Sequence, residues 1–551
     1  MARLALLALA GLVACAGEAG PPADLVVYGR VWTGDSARPW AGAVAANGDS
    51  ISAVGDSADI TRWVGPETRV LAAGGGMVAP GFMDGHLHFV DGGFQLASLD
   101  LRPADSPADF IARLAAYAAE RQPGEWITGG EWDHERWPGA PLPRRDWIDS
   151  VTPNNPVFVN RLDGHMGLAN SAALRLAGIG RGTRDIPGGV IVRDRRTGEP
   201  TGILKDEAMG PVYRVLPEPS AEQRDRALRR AMEHAASKGV TAVAHVSVPW
   251  PDLGAYLRAK AAGTLTVRAA LYFPLPDWKR VADTVARIGR GDDWVWIGGV
   301  KDYVDGSLGS TTALFYQPYN DDPSTPGVLT TPEDSLRRWI GAADSAGLQV
   351  AVHAIGERAN GLLLDIFDSV AQAHGPRDRR FRIEHAQHLR RADIERIART
   401  GVIASMQPYH AADDGRWAEK RIGPERIKTT YAFRSLLDLG AHLAFGSDWT
   451  VAPIDPILGI HAAVTRRTLD GKNPDGWVPE EKITVEEALR AYTAEDAYGI
   501  FAEGRRGRLV LGYLADLVLL DRDLTRIPPE TIDQTQVEAT VVGGRVVYRR
   551  D

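Results

Sequence analysis

A single cysteine, Cys15, stands in a chain of 551 residues, which excludes an internal disulfide framework. Lys and Arg number 63 against 71 Asp and Glu, a net charge of −8. No basic block breaks that balance, so neither nucleic acid nor an anionic membrane surface is expected as a partner. No internal apolar run is long enough to span a bilayer. What remains is ordinary globular composition, 44% hydrophobic and 24% charged. A chain of this length can bury a large core and form more than one domain.

The N-terminus departs from that pattern. Arg3 is followed by the apolar run Leu4 to Ala14. The run is too short for a membrane span, and residues 1–14 read as a signal peptide. Leu12-Val13-Ala14-Cys15 resembles a bacterial lipobox. That implies a lipidated Cys15 heading a flexible tether over residues 15–23. The expectation is an exported, membrane-anchored lipoprotein, periplasmic or at the cell surface, held to the membrane only through that lipid.

Short strands with turn signals occur at both ends of the remaining chain. Leu25 to Val31, Ala41 to Ala46 and Ile51 to Val54 form one group; Asp516 to Leu520 and Val537 to Tyr548 form the other, with a hairpin turn at Gly543-Gly544. Neither end holds enough apolar residues for its own core. Residues 24–78 and 501–551 are therefore expected to combine into one small β-sandwich domain.

Residues 79–500 alternate β-like runs with amphipathic helical stretches. After the run ending in His88 come Gly239 to Val246, Val267 to Phe273, Val295 to Val304 and Leu348 to His353. Phe381 to His385, Val402 to Met406 and His442 to Phe445 follow. Eight β/α units predict an α/β fold, the TIM (β/α)8 barrel. Roughly 150 residues separate the first run from the second. Residues of about 122–209 are thus expected to form an inserted, ordered cap over the barrel mouth. Trp126, Trp132, Trp137 and Trp147 should fill its core, with Glu131, Asp133 and Glu135 on a solvated face.

The chemistry starts at Met83-Asp84-Gly85-His86-Leu87-His88. Residues i and i+2 of an extended strand share a face, so both imidazoles can reach one metal ion. Active-site residues of TIM barrels sit at the C-terminal ends of strands. Read that way, the first predicted strand ends in His86 and His88, and the fourth carries Lys301. The fifth ends in His353, the sixth in His385 and the eighth leads into Asp448. A lone histidine is more often structural than ligating, and the chain has 13 of them. His245 could line the pocket but reads first as a packing or supporting residue; His388 and His410 could lie at the pocket rim, with exposed loop positions favoured.

The order His-x-His, Lys, His, His, Asp on those strands resembles the amidohydrolase superfamily. Pro80-Gly81-Phe82-Met83-Asp84-Gly85-His86-Leu87-His88, Asp305-Gly306-Ser307-Leu308-Gly309-Ser310, His353-Ala354-Ile355-Gly356 and Gly446-Ser447-Asp448 are similar to its amidohydrolase 3 (YtcJ-like) family. So is Asn160-Arg161-Leu162-Asp163-Gly164-His165 in the insertion. The resemblance implies that His86, His88, His353, His385 and Asp448 hold one or two divalent ions, zinc foremost. It implies Asp448 as general base and metal ligand. Lys301 stands where the superfamily has a lysine that can take up CO2 as a carbamate bridging two ions; unmodified, it would sit beside one ion or bind substrate. Arg161, His165, Asp305 and Ser307 are the substrate-side candidates.

The function implied is cleavage of non-peptide, amide-like C–N bonds in a small molecule by metal-activated hydroxide. Dipeptidase-like or ester-cleaving chemistry on the same site stays open, as does a non-catalytic surface lipoprotein. A homodimer is compatible with each.

Overall fold

The computed structural model describes residues 22–551. The expected leader, Cys15 and most of the expected tether lie outside the described residues. No helix among the described residues is long and apolar enough to cross a membrane.

Eight parallel strands build the centre: β1 (Phe82–Leu87), β2 (Val240–His245), β3 (Arg268–Pro274), β4 (Val295–Tyr303), β5 (Gln349–Ala354), β6 (Arg382–His385), β7 (Ile403–Met406) and β8 (Leu443–Phe445). Each pairs with the next in sequence. Every residue of β2 is buried, as expected for a strand covered on both faces. The helix Ala221–Ser237 leads into β2. A reciprocal bond between Ser220 and Gln223 caps its start, and Ala227, Leu228, Ala231 and Met232 form its buried face.

The ends of β8 and β1 come together beyond their ladders. The Asp448 N–H donates to the His86 carbonyl at 2.7 Å, and the Ser447 N–H donates to Asp84 Oδ1 at 2.9 Å. Gly446 makes this approach possible, because a Cβ there would lie 2.6 Å from the His86 nitrogen. The nearly closed barrel thus brings the first and last predicted site residues side by side.

Strands from both chain ends share one seven-stranded sheet. Its order is Arg545–Arg549, Val537–Val542, Leu517–Leu520, Arg69–Pro80, Leu25–Trp32, Trp40–Asn47 and Ser50–Gly55. The join is Arg69–Pro80, parallel to Leu25–Trp32 and antiparallel to Leu517–Leu520. The sheet folds back on itself. The Ile51 N–H donates to the Tyr513 carbonyl at 2.8 Å, and the Ala515 N–H to that of Asp49 at 2.7 Å. Val27, Val44, Ile51, Leu71, Leu517 and Val541 pack together inside it. Gly543 and Gly544, at φ +57° and +69°, make the hairpin turn that only such values allow.

The insertion is a lobe around a six-stranded sheet, ordered Gly189–Arg193, Pro200–Asp206, Met166–Ala169, Phe158–Arg161, Gly129–Trp132 and Leu99–Asp100. That sheet begins at Leu99, upstream of the boundary near 122 expected from composition. The helix Pro107–Ala119 belongs to the lobe, although its amphipathic pattern reads like that of any barrel helix. Trp132 and Trp137 fill the lobe's core with Phe110 and Leu114. Glu131 and Asp133 are buried, contrary to the solvated face expected. Glu131 adopts φ +54°, which breaks the two-residue alternation that the expectation rested on.

Candidate metal centre

His86 is the second-last residue of β1 with His88 just beyond the strand, and Asp448 follows β8. Asp448 Oδ1 lies 3.5 Å from His86 Nε2 and 3.5 Å from His88 Nε2. A second group shares the same carboxylate: one ligand atom each from His385, His410 and Asp448 lie within 4.8 Å of one another. Of the two positions that the sequence allowed for His410, the structure shows the less favoured, at the pocket, and not an exposed loop. The chain after β7 passes through Gln407 into the helix Pro408–Asp414, which carries His410 to the barrel mouth.

Two supports fix the rings. His86 Nδ1–H donates to Glu384 Oε2 at 2.5 Å, and Arg382 holds Glu384 at 2.7 Å. His385 Nδ1–H donates to Gln407 Oε1 at 2.7 Å. Each bond leaves Nε2 as the nitrogen with the lone pair. Glu384 and Gln407 were not singled out in the sequence. Glu384 precedes His385, and neighbours in an extended strand point to opposite faces. The φ of +77° at His385 breaks that rule and lets both residues serve the site.

His353 and Lys301 are near but differently engaged. The His353 ring centroid is 4.5 Å from that of His385. Its Nε2 lies 3.1 Å from the Gly306 carbonyl, which can only accept, so the lone pair of this ring is on Nδ1. Lys301 Nζ is buried without a hydrogen-bond partner, 4.3 Å from the centre of the Tyr303 ring.

Burial sets the charge states. It lowers His86 to about 4, with the Lys301 charge adding to the effect and Glu384 opposing it. It lowers His410 to about 3, and holds His353 and His385 well below the ordinary histidine range. Neutral imidazole is the form that can ligate a metal. Burial also pushes the Asp448 carboxyl up to about 7, while Lys301 pulls it back. A divalent cation beside Asp448 favours its ionised form. Asp448 and Ala386, at φ +58° and +44°, share the left-handed backbone of His385. Such residues cost of order 1–3 kcal/mol each, and at His385 and Asp448 they carry candidate ligands to the site.

The residues fit a metal ion. His86 Nε2 and His410 Nε2 are buried with no protein partner, and an unsatisfied buried polar atom costs about 1–3 kcal/mol. Imidazole nitrogens grouped around one carboxylate are a donor set for a first-row divalent ion.

The lobe closes the other side of a cavity of about 50 Å³, which Arg161, His165, Ser307, His353, His385, His410 and Asp448 all line. His165 Nδ1–H donates to Asp206 Oδ1 at 2.6 Å, and its ring centroid is 4.9 Å from that of His353. The Arg161 guanidinium is fully engaged, donating to Asp163 at 2.6 Å, Asp133 at 3.1 Å and His134 at 3.3 Å. Ser307 donates its hydroxyl to Asp163. Asp305 stands behind the cavity rather than in it. Its carboxylate accepts from the N–H groups of Leu314, Ile355 and Gly356 at 2.7, 3.0 and 2.8 Å. Its position is that of a support for the loops after β4 and β5, not of a substrate contact.

The profile of the amidohydrolase family matches residues 69–548. The chain belongs to that family. It is 40% identical over 543 residues to Protein LONG AFTER FAR-RED 3 of Arabidopsis thaliana, covering 96% of this chain and 92% of that protein. It is 29% identical over 541 residues to the N-substituted formamide deformylase of Arthrobacter pascens, covering 96% and 98%. Among solved structures, an uncharacterized metal-dependent hydrolase from Pyrococcus horikoshii aligns with a TM-score of 0.72 at 29% identity, over 92% of this chain and 99% of that one. The chain is accordingly an amidohydrolase-family hydrolase, built on the barrel that its strand pattern predicted.

Proposed function

We propose that the protein hydrolyses non-peptide C–N bonds of small amide-like substrates, N-substituted formamides among them, with zinc as its ion. The observation that carries this reading is the pair of neutral imidazoles, His86 and His88, each with Nε2 3.5 Å from the one carboxylate oxygen of Asp448. The resemblance to a formamide deformylase along nearly the whole chain supports the substrate class. His86, His88 and Asp448 would hold one ion, and His385 is placed for another. When bound, a divalent ion lowers the pKa of water towards neutrality and polarises a carbonyl oxygen.

The chain's own residues do the rest. Asp448 takes the proton of the attacking water and delivers it to the leaving nitrogen. Glu384 and Gln407 keep the proton of His86 and His385 on Nδ1. His165 faces the cavity from the lobe; burial draws its basicity down, and the Asp206 bond and charge more than offset this, leaving it above the ordinary histidine value. It is placed to donate to the oxygen on which negative charge develops. The small cavity suits a compact acyl group such as formyl. Lys301, buried and unpartnered, is the residue on which a CO2-derived carbamate would form.

The test is a hydrolysis screen of zinc-loaded protein against N-substituted formamides, longer N-acyl amines, dipeptides and esters. Release of formate from the formamides, abolished by chelation and by Asp448→Asn, is the expected result. Turnover confined to dipeptides or esters would overturn the bond class. Intact mass carrying the increment of one CO2, lost in Lys301→Ala, would show the carbamate.

A further inference from the structure

We propose that His410, on the helix after β7, is a metal ligand, and that with His385 and Asp448 it forms a cation site adjoining the one made by His86, His88 and Asp448. The inference rests on the metal-dependent reading above and adds a residue to it.

Three observations carry it. The ligand atoms of His385, His410 and Asp448 fall within 4.8 Å of one another, a bound that the group of His86, His88 and Asp448 also meets. Donors at bond lengths of about 2.0–2.2 Å from one ion lie at most about 4.4 Å apart, so the group needs a closure of no more than a few tenths of an ångström to share one. Next, His410 Nε2 is buried and has no hydrogen-bond partner. An imidazole nitrogen sequestered that way is costly unless something occupies its lone pair. Finally, the rings of His385 and His410 are nearly parallel, 14° apart with centroids 6.3 Å from each other. With Nδ1 of His385 tied to Gln407 at 2.7 Å, its Nε2 is the nitrogen left for an ion.

β7 then supplies both parts of a ligand-and-support arrangement. Gln407 at its end orients His385, and His410 one helical turn later closes the group. His353 differs in the atom it offers: its Nε2 is committed to the Gly306 carbonyl at 3.1 Å, which leaves Nδ1 with the lone pair. A cation in the His410 group would be held by two imidazoles and the carboxylate that both groups share.

The experiment is a titration of chelator-stripped protein with Zn2+ and, separately, Co2+, following bound metal by elemental analysis and the Co2+ absorption bands. Wild type, His410→Ala and His410→Gln are compared. Circular dichroism and thermal melts in chelator establish that the stripped variants fold as the wild type does. The expected result is that both variants bind one ion on the order of tenfold or more weakly, with altered Co2+ bands, while the ion held by His86 and His88 stays. Unchanged affinity and bands in folded His410→Ala and His410→Gln overturn the proposal and leave the metal-dependent reading standing. A wild-type protein that takes up no ion at all overturns both.

Discussion

The barrel mouth and the inserted lobe face each other across one cavity and treat buried polarity in opposite ways. In the lobe, charges find partners within the protein. Arg161 donates to Asp163 and Asp133, Arg416 donates to Asp133 at 3.0 Å, and Ser310 donates to Asp163 at 2.9 Å. At the mouth, His86 Nε2, His410 Nε2 and Lys301 Nζ are buried with none. A satisfied cluster stabilises a shape; an unsatisfied one marks where something else belongs. The lobe is thus a scaffold that encloses the cavity, and the mouth is the receptor for a cation.

Substitutions on the two sides should therefore fail in different ways. The largest effect belongs to Asp448→Asn. It should leave an ion on His86 and His88 while kcat falls by roughly 10²–10⁴-fold, since the proton acceptor is gone. Near-normal turnover in steady-state assays would remove Asp448 from the mechanism. His165→Gln should lower kcat by roughly 10²-fold with little change in bound metal, because it serves the developing oxyanion rather than the ion. Loss of metal in that variant would erase the line drawn between mouth and lobe. Glu384→Gln, which weakens the hold on His86 and leaves the buried Arg382 without its counter-ion, should weaken metal binding by roughly 10–100-fold in a chelator competition.

The lobe side is sharpened by pH. Burial pushes the Asp163 carboxyl up, but the Arg161 guanidinium beside it, with His165, Ser307 and Ser310, holds it down at about 2. Its value in the unfolded chain is about 3.9, so its contribution of about 2–3 kcal/mol is complete above that pH and fades as pH falls towards 2. Asp163→Asn should lose that stability at neutral pH and flatten the acid limb of a denaturant-unfolding series. An unchanged acid limb would show that the ion pair does not stabilise the lobe. The smallest effect is that of Cys15→Ala. We infer from the lipobox-like segment that it moves the protein from the membrane fraction to the soluble one with kcat unaltered; retention at the membrane would refute the anchor.

The eight strands were readable because parallel strands buried on both faces leave apolar runs, and each run found its place in the barrel. His86 and His88 were readable from two-residue spacing, and Asp448 from the strand that it follows. His410 was legible only as a less favoured pocket-rim position, because it sits within a helix after Pro408, where no strand spacing points to it. Glu384 and Asp163 were hidden beside residues already singled out, their roles decided by partners almost 300 positions away in one case and by loop contacts in the other. The start of the lobe was hidden as well, since the helix Pro107–Ala119 carries no mark of which sheet it covers. Left-handed backbone at Glu131, His385 and Asp448 bent the chain where periodicity predicted regular extension.

The most direct test is an anomalous difference map from crystals of the purified protein, recorded at the zinc absorption edge. The account predicts a peak within about 2.0–2.2 Å of a nitrogen of His86, a nitrogen of His88 and a carboxylate oxygen of Asp448. Catalytically active crystals with no anomalous density among those three side chains would contradict it.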